Sequence, residues 1–165
     1  MANVRLFKKI KLSQGKWALV DVEDFEWLNQ WKWYFWKAKH AQTGYAVRNQ
    51  KGSEISGSRK SIRMHRVILS SAKLVDHING NGLDNRKANL RSATQSQQRM
   101  NRPKFKSSKY KGVTKTQWGN YVYWIARIRK NNETFYLGKF DSPFAAKRAY
   151  IKKAKELHGE FARWK

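Results

Sequence analysis

The stretch Val75 to Arg91 reads Val-Asp-His-Ile-Asn-Gly-Asn-Gly-Leu-Asp-Asn-Arg-Lys-Ala-Asn-Leu-Arg and constrains this chain more than any other. A short apolar run ends at Asp76-His77, a loop rich in Asn and Gly follows, and Asn89-Leu90-Arg91 begins a returning strand. Asn79, Asn81, Asp84 and Asn85 are turn formers on this reading, because a short polar side chain beside Gly hydrogen-bonds the local backbone and tolerates positive φ. The segment is thus predicted to be a hairpin. It sets a carboxylate that can hold a hard cation next to an imidazole that can take a proton from water.

The surrounding composition says where such chemistry would be aimed. The 165 residues include 36 Lys+Arg against 11 Asp+Glu, a formal net charge of +25. That imbalance calls for a polyanionic partner, and nucleic acid is the obvious one. The basic residues are spread along the chain and interleaved with aromatics, unlike the amphipathic basic helix of a membrane-surface protein. No run approaches the ~18 apolar residues of a span, and Met1 to Leu19 lacks the apolar core of a signal peptide. The expectation is a cytoplasmic protein with no membrane partner. The chain has no Cys, which excludes disulfides, zinc ribbons and thiol nucleophiles. Its 8 Trp, 7 Tyr and 8 Phe suffice for one or two small cores.

Three regions follow, in an α+β class. Residues 1–98 comprise a β-rich region and then the hairpin, at about 64–98. Within them Leu12 to Val20 reads as a hairpin turning at Gln14-Gly15, and Asp21 as the N-cap of a helix with an acidic first turn. Tyr45–Arg48 and Ser61–His65 read as strands around a Gly/Ser-rich loop, Gly52 to Ser58. Trp31, Trp33 and Trp36 are expected in core and strand positions, while His40 and His158 have no nameable partner. Residues 99–109 form a basic linker broken by Pro103, whose Arg99, Arg102, Lys104 and Lys106 are candidate phosphate contacts. Residues 110–165 carry 13 basic and 4 acidic residues. They are predicted to form three strands (Tyr110–Val113, Tyr121–Lys130, Thr134–Phe140), with a tight turn at Asn131-Asn132. A helix then starts at Asp141-Ser142-Pro143, its apolar stripe running through Phe144/Ala145, Ala149, Ile151 and Ala154/Leu157. One helix covers one face of such a sheet, and the other face is left for nucleic acid.

The landmarks Tyr110-Lys-Gly-Val, Trp118-Gly119, Trp124-Ile-Ala-Arg-Ile-Arg129 and Tyr136-Leu-Gly-Lys-Phe140, with the Ala-rich helix, resemble the plant APETALA2/ethylene-response-factor DNA-binding domain. The resemblance implies sheet contacts to double-stranded DNA from Lys111, Trp118, Arg127, Arg129, Thr134 and Tyr136. Thr114 and Thr116 stand where that family has arginines. The middle segment, together with Gly15 to Trp33, Met64-His65-Arg66 and Leu157-His-Gly-Glu-Phe-Ala-Arg163, resembles the HNH homing endonucleases of phage and intron type. That resemblance implies a ββα-metal core and one divalent cation, Mg²⁺ with Mn²⁺ as a substitute, and no zinc.

In the HNH scheme His77 is the general base, Asp76 a metal ligand, and Asn89, thirteen residues after Asp76, the group that orients the imidazole. The family's second metal-ligating Asn is here Gln98, one methylene longer, with Arg99 beside it as a competitor for phosphate. His65 and Arg66 are candidate phosphate contacts, with a fold-holding His65 as the plainer role. Two functions are compatible with these features. One is a site-specific, metal-dependent DNA endonuclease, nicking or cutting both strands. The other is a catalytically weak or inactive DNA- or RNA-binding protein on the same scaffold, for example one that binds intron RNA. Target sequence and oligomeric state do not follow from the sequence.

Overall fold

A computed structural model describes residues 7–50, 61–102 and 109–164. The expected Gly52–Ser58 loop, Pro103 and the linker residues Lys104 and Lys106 lie outside the described residues. The chain is mixed α/β, built of small antiparallel sheets and few helices. It divides into two compact units, residues 1–93 and 94–165.

The first unit opens with a hairpin of β1 (Phe7–Lys11) and β2 (Trp17–Asp21). Gln14 and Gly15 turn it at φ 58° and 63°, as the turn chemistry predicts. Helix α1 (Val22–Asn29) follows at once. Asp21 occupies the N-cap position but makes no cap hydrogen bond; its carboxylate is used elsewhere. A second sheet, ordered β3 (Tyr34–Trp36), β4 (Tyr45–Asn49) and β5 (Ser61–Arg63), lies in the same unit. The core gathers Ile10, Val20, Leu28, Trp33, Ala46 and Met64, with the Trp33 indole donating to the Leu28 carbonyl at 2.8 Å. Trp33 takes a core place and Trp36 a strand place on β3, as expected, with Trp36 43 % exposed.

The strand predicted over Ser61–His65 stops at Arg63, and Met64 and His65 open a short helix, α2 (Met64–Ile68). Both side chains are thereby turned inward. The predicted hairpin is present as β6 (Val75–His77) and β7 (Leu90–Ser92), paired Val75↔Ser92, Asp76↔Arg91 and His77↔Leu90.

The second unit begins with α3 (Gln95–Met100), the helix that follows the hairpin in sequence. Thr94 and Gln97 cap it reciprocally, each side chain bonding the other's backbone N–H. An antiparallel sheet ordered β10 (Glu133–Phe140), β9 (Tyr121–Lys130), β8 (Val113–Trp118) packs on α4 (Pro143–His158). Asn131 and Asn132 make the expected turn at φ 49° and 69°.

The first strand of this sheet begins at Val113 rather than Tyr110. Gly112 has φ +69°, and a Cβ there would lie 2.2 Å from the Tyr150 ring, so the backbone bends under α4 before the ladder starts. Ser142 Oγ accepts from Ala145 N at 3.1 Å at the head of α4, with Pro143 in the first turn. The buried stripe of α4 is Ala146, Tyr150, Ala154 and His158. It sits one residue on from the predicted Ala145/Ala149 line, and Phe144 is exposed. Both lines are apolar, so helical periodicity alone does not choose between them. Among the described residues no helix is long and apolar enough to cross a membrane.

Candidate active site

The loop between β6 and β7 has little regular structure, and side chains from distant parts of the first unit hold it. Leu19 N donates to Leu83 O and Asn85 N to Leu19 O, each at 2.8 Å, which makes a parallel bridge between β2 and the loop. Asp21 Oδ2 accepts from Lys87 N at 2.7 Å, the use that draws it away from capping α1. Lys87 Nζ meets Glu23 at 2.9 Å and Asp24 at 3.1 Å. From the other side Gly82 N donates to Thr43 Oγ1 at 2.8 Å. A Cβ on Gly82 would stand 2.4 Å from the Gly44 carbonyl, so only glycine lets the two backbones approach this closely.

This clamp fixes His77. Its Nε2 lies 3.3 Å from Asn85 Oδ1, and Asn85 is 0 % exposed. Asn85 Nδ2 donates to the Leu83 carbonyl, so the oxygen of the amide is the atom facing the ring. An oxygen there accepts only, which puts the ring hydrogen on Nε2 and the basic lone pair on Nδ1. Burial pulls the His77 pKa below its ordinary value, while the Asn85 bond and the charges of Asp76 and Asp84 push the other way. His77 is therefore neutral near pH 7 and able to accept a proton.

Asp76, one residue before, is also buried, and Arg91 across the ladder binds its Oδ2 through Nε at 3.0 Å and Nη2 at 2.9 Å. His65 stands edge-on to His77, ring centroids 4.9 Å apart at 89°, and Tyr45 leans on both rings at 5.4 and 5.9 Å. His65 is 4 % exposed, and burial together with the charges of His77, Arg63 and Arg66 pushes its pKa down to about 3. A buried, neutral ring of this kind supports its neighbour; it does not offer charge to a phosphate. Arg66, next to it, is exposed.

Two sequence expectations are changed here. The HNH resemblance assigns Asn89 to the imidazole, but the Asn89 amide instead accepts from Asn79 N at 3.0 Å and donates to Asn79 Oδ1 and to the Asp84 carbonyl. Asn89 braces the loop, and Asn85 touches the ring. Asp84 is more than a turn former. Arg86 grips both of its oxygens at 2.7 Å and Asn79 donates to one of them, and the Arg86 bonds hold its carboxyl below the usual range. So engaged, Asp84 serves to hold the loop.

The candidate contacts of the second unit separate cleanly. Ala126 and Ile128 are 0 % and 3 % exposed, and Arg127 and Arg129 alternate with them on the outer face. Tyr136 pairs with Arg127 and Thr134 with Arg129, while Trp118 ends the neighbouring strand on that face. Lys111 does not join them. Its ammonium donates to the Met100 carbonyl, and burial with the nearby Arg163 lowers its pKa to about 8. Arg99 and Arg102 are exposed, on and just after α3, and Gln98 is half-buried on α3.

The Asp76 carboxylate is a hard oxygen donor, already bonded by Arg91, and the chain has no Cys, so the hairpin suits a hard cation that keeps most of its water better than a thiophilic metal. Among the described residues the one tight acidic grouping is Asp21, Glu23 and Asp24, where Lys87 pairs with Glu23 and Asp24 through its ammonium and with Asp21 through its backbone N–H. Asn85, Arg91 and Tyr45 are the residues that sequence reasoning missed. Arg91 could have been found as the partner facing Asp76 in a symmetric hairpin, but nothing local distinguished Asn85 from the other loop amides.

No family model and no solved structure matches the chain. An uncharacterized HNH endonuclease of Acanthamoeba polyphaga mimivirus is similar to it, 32% identical over 168 residues that cover 97% of this chain and 80% of the relative. A match that runs through both units takes in the Asp-His hairpin and the loop that clamps it. On that similarity the chain belongs to the HNH endonuclease family.

Proposed function

We propose that this protein is a metal-dependent endonuclease that hydrolyses a phosphodiester bond of double-stranded DNA. In this reading it is a homing-type HNH enzyme whose hairpin and following helix supply the ββα-metal core. The observation that carries the reading is the buried Asp76-His77 pair, with the imidazole fixed by Asn85 so that Nδ1 is its basic nitrogen. His77 takes the proton from the attacking water, and Asn85, His65 and Tyr45 hold the ring against rotation. Asp76, kept in place by Arg91, holds the cation. When bound, Mg²⁺ or Mn²⁺ supplies charge stabilisation at the phosphate and the leaving 3′ oxygen. Asn89 acts through the loop rather than on the ring. Gln98 is the candidate second oxygen donor on the sequence pattern alone; a Gln98→Asn change that leaves the cation requirement unaltered would remove it.

The second unit reads the target in this proposal. Its APETALA2-like sheet presents Arg127, Arg129, Thr134, Tyr136 and Trp118 to the duplex, and Arg99, Arg102, Lys104 and Lys106 follow the phosphates. The deciding experiment is incubation with supercoiled plasmid. Conversion to nicked or linear DNA with Mg²⁺, abolished by EDTA, supports the enzyme. Binding without conversion in Mg²⁺ or Mn²⁺ supports a degenerate binding protein, the second reading, which Gln98 in place of the family Asn favours.

A further inference from the structure

The hairpin of β8 and β9 outruns the helix that supports it. Near its root Val113 pairs with Ala126, and both are buried in the core on which α4 packs. The ladder then continues to Trp118↔Tyr121, and every residue from Gln117 to Val122 is exposed. Gly119 turns the tip at φ +57°, and Gln117 Nε2 donates to the Gly119 carbonyl at 3.0 Å to brace it. Two large aromatic side chains therefore stand on paired positions at the end of a projecting ribbon, Trp118 78 % and Tyr121 79 % exposed.

A lone exposed aromatic is ordinary, but paired rings on a protruding turn keep a large apolar area in water at a cost in folding free energy. By strand alternation both belong to the face that carries Arg127 and Arg129. On that face Lys139 Nζ lies 5.1 Å over the Tyr123 ring, and from Val113 to Phe140 the only acidic residue is Glu133. Cations behind and flat rings in front fit a ligand with anionic edges and stackable faces.

We propose that the tip is a stacking wedge, with Trp118 and Tyr121 entering an unstacked base step of duplex DNA while Lys139 meets a flanking phosphate and the arginines behind keep to the base edges. Cross-strand partners stand about 5 Å apart at Cβ, so the two rings act as one blade two residues wide. A blade enters a gap between bases; it does not track a strand as a groove does. The proposal rests on DNA being the partner of the second unit and adds how the contact is made.

The test uses the full chain in EDTA, so that no hydrolysis intervenes. Fluorescence anisotropy compares a perfect duplex with the same duplex carrying a one-base bulge, where the stacking is already broken. The expected result is a preference of about tenfold or more for the bulged duplex, because its unstacking cost is absent. Trp118→Ala or Tyr121→Ala should reduce the preference to near one while leaving the salt dependence unchanged, since neither removes a charge. Trp118→Phe should retain most of it. A parent protein that binds both duplexes equally, or a Trp118→Ala variant that keeps the full preference, overturns the wedge and leaves the DNA reading standing. Tighter binding to single-stranded DNA or to RNA than to the bulged duplex also overturns it. Failure to bind any duplex overturns the DNA reading itself.

Discussion

The loop of β6 and β7 and the sheet of β8 to β10 solve opposite problems. The hairpin strands are three residues each, too short for a ladder to fix anything. The loop is positioned by buried polar groups: Asn85, Asp84, Asn89 and His77 are all under 9 % exposed and bonded to one another or to the backbone. The sheet has strands of ten and eight residues, an apolar inner face, and an outer face of exposed cations and rings. In the first region the interior is specific and the surface incidental. In the second the interior is generic and the surface carries the information. An imidazole with the role we propose for His77 needs one orientation, which a saturated hydrogen-bond network imposes. A binding face needs only side chains that all point the same way, which strand alternation supplies.

That contrast breaks most sharply at His77. His77→Ala should cost roughly 10²–10⁴ in cleavage rate and leave duplex affinity in EDTA near that of the parent; cleavage at the parental rate would remove His77 as the base.

Acid should come next in size. His65 has a folded pKa of about 3 against an ordinary 6.5, so below pH 6.5 the unfolded chain takes up a proton that the folded chain refuses. Stability is full above about pH 6.5 and falls as pH drops toward 3, by on the order of 4 kcal/mol from this residue. Denaturant midpoints at pH 7 and pH 4 should therefore converge in a His65→Phe variant relative to the parent, and an unchanged difference would contradict the buried neutral ring. His77, also depressed by burial, acts in the same direction.

Asn85→Ala sharpens the comparison further. It leaves the buried Nε2–H of His77 without the oxygen it faces, which costs ~1–3 kcal/mol and roughly 10–100-fold in activity. The sheet has no counterpart to this residue. Arg129→Ala should cost ~1–3 kcal/mol in discrimination between target and random duplex and leave the melting temperature within about a degree, because the side chain is exposed. An Arg129→Ala protein that loses random and target DNA equally would make the face a phosphate-holding surface only.

The same contrast explains what the sequence disclosed. The second and third strands of the sheet, the Asn131-Asn132 turn, the helix start at Pro143 and the outward arginines are set by neighbours within a few residues, so alternation and turn chemistry found them; the first strand, displaced by the bend at Gly112, was not. The Asp-His hairpin was legible for the same reason. Asn85 was not, because its task depends on where Leu19 holds its backbone and the Leu83 carbonyl its side-chain amide. Spacing marked Asn89 as special without saying what it touches. Lys111 sits in a basic strand lead-in and looks like a contact residue until Met100, eleven positions earlier, takes its ammonium. His65 was read at a strand end because nothing local announces that α2 begins at Met64.

The bond from Lys87 to Asp21 joins residues 66 positions apart, and that separation bears on how the chain folds. Closing a flexible loop of that size costs roughly 4 kcal/mol in chain entropy before any contact repays it. The hairpins of the second unit close over two residues and face almost no such barrier. The sheet is therefore expected to form early and independently, and the β6–β7 loop to set late, only after β1 and β2 have paired and can receive it. A mutation in the first hairpin, far from any chemistry, would slow or loosen that last step. It would yield a protein that still binds but cleaves poorly, with no residue of the active site altered.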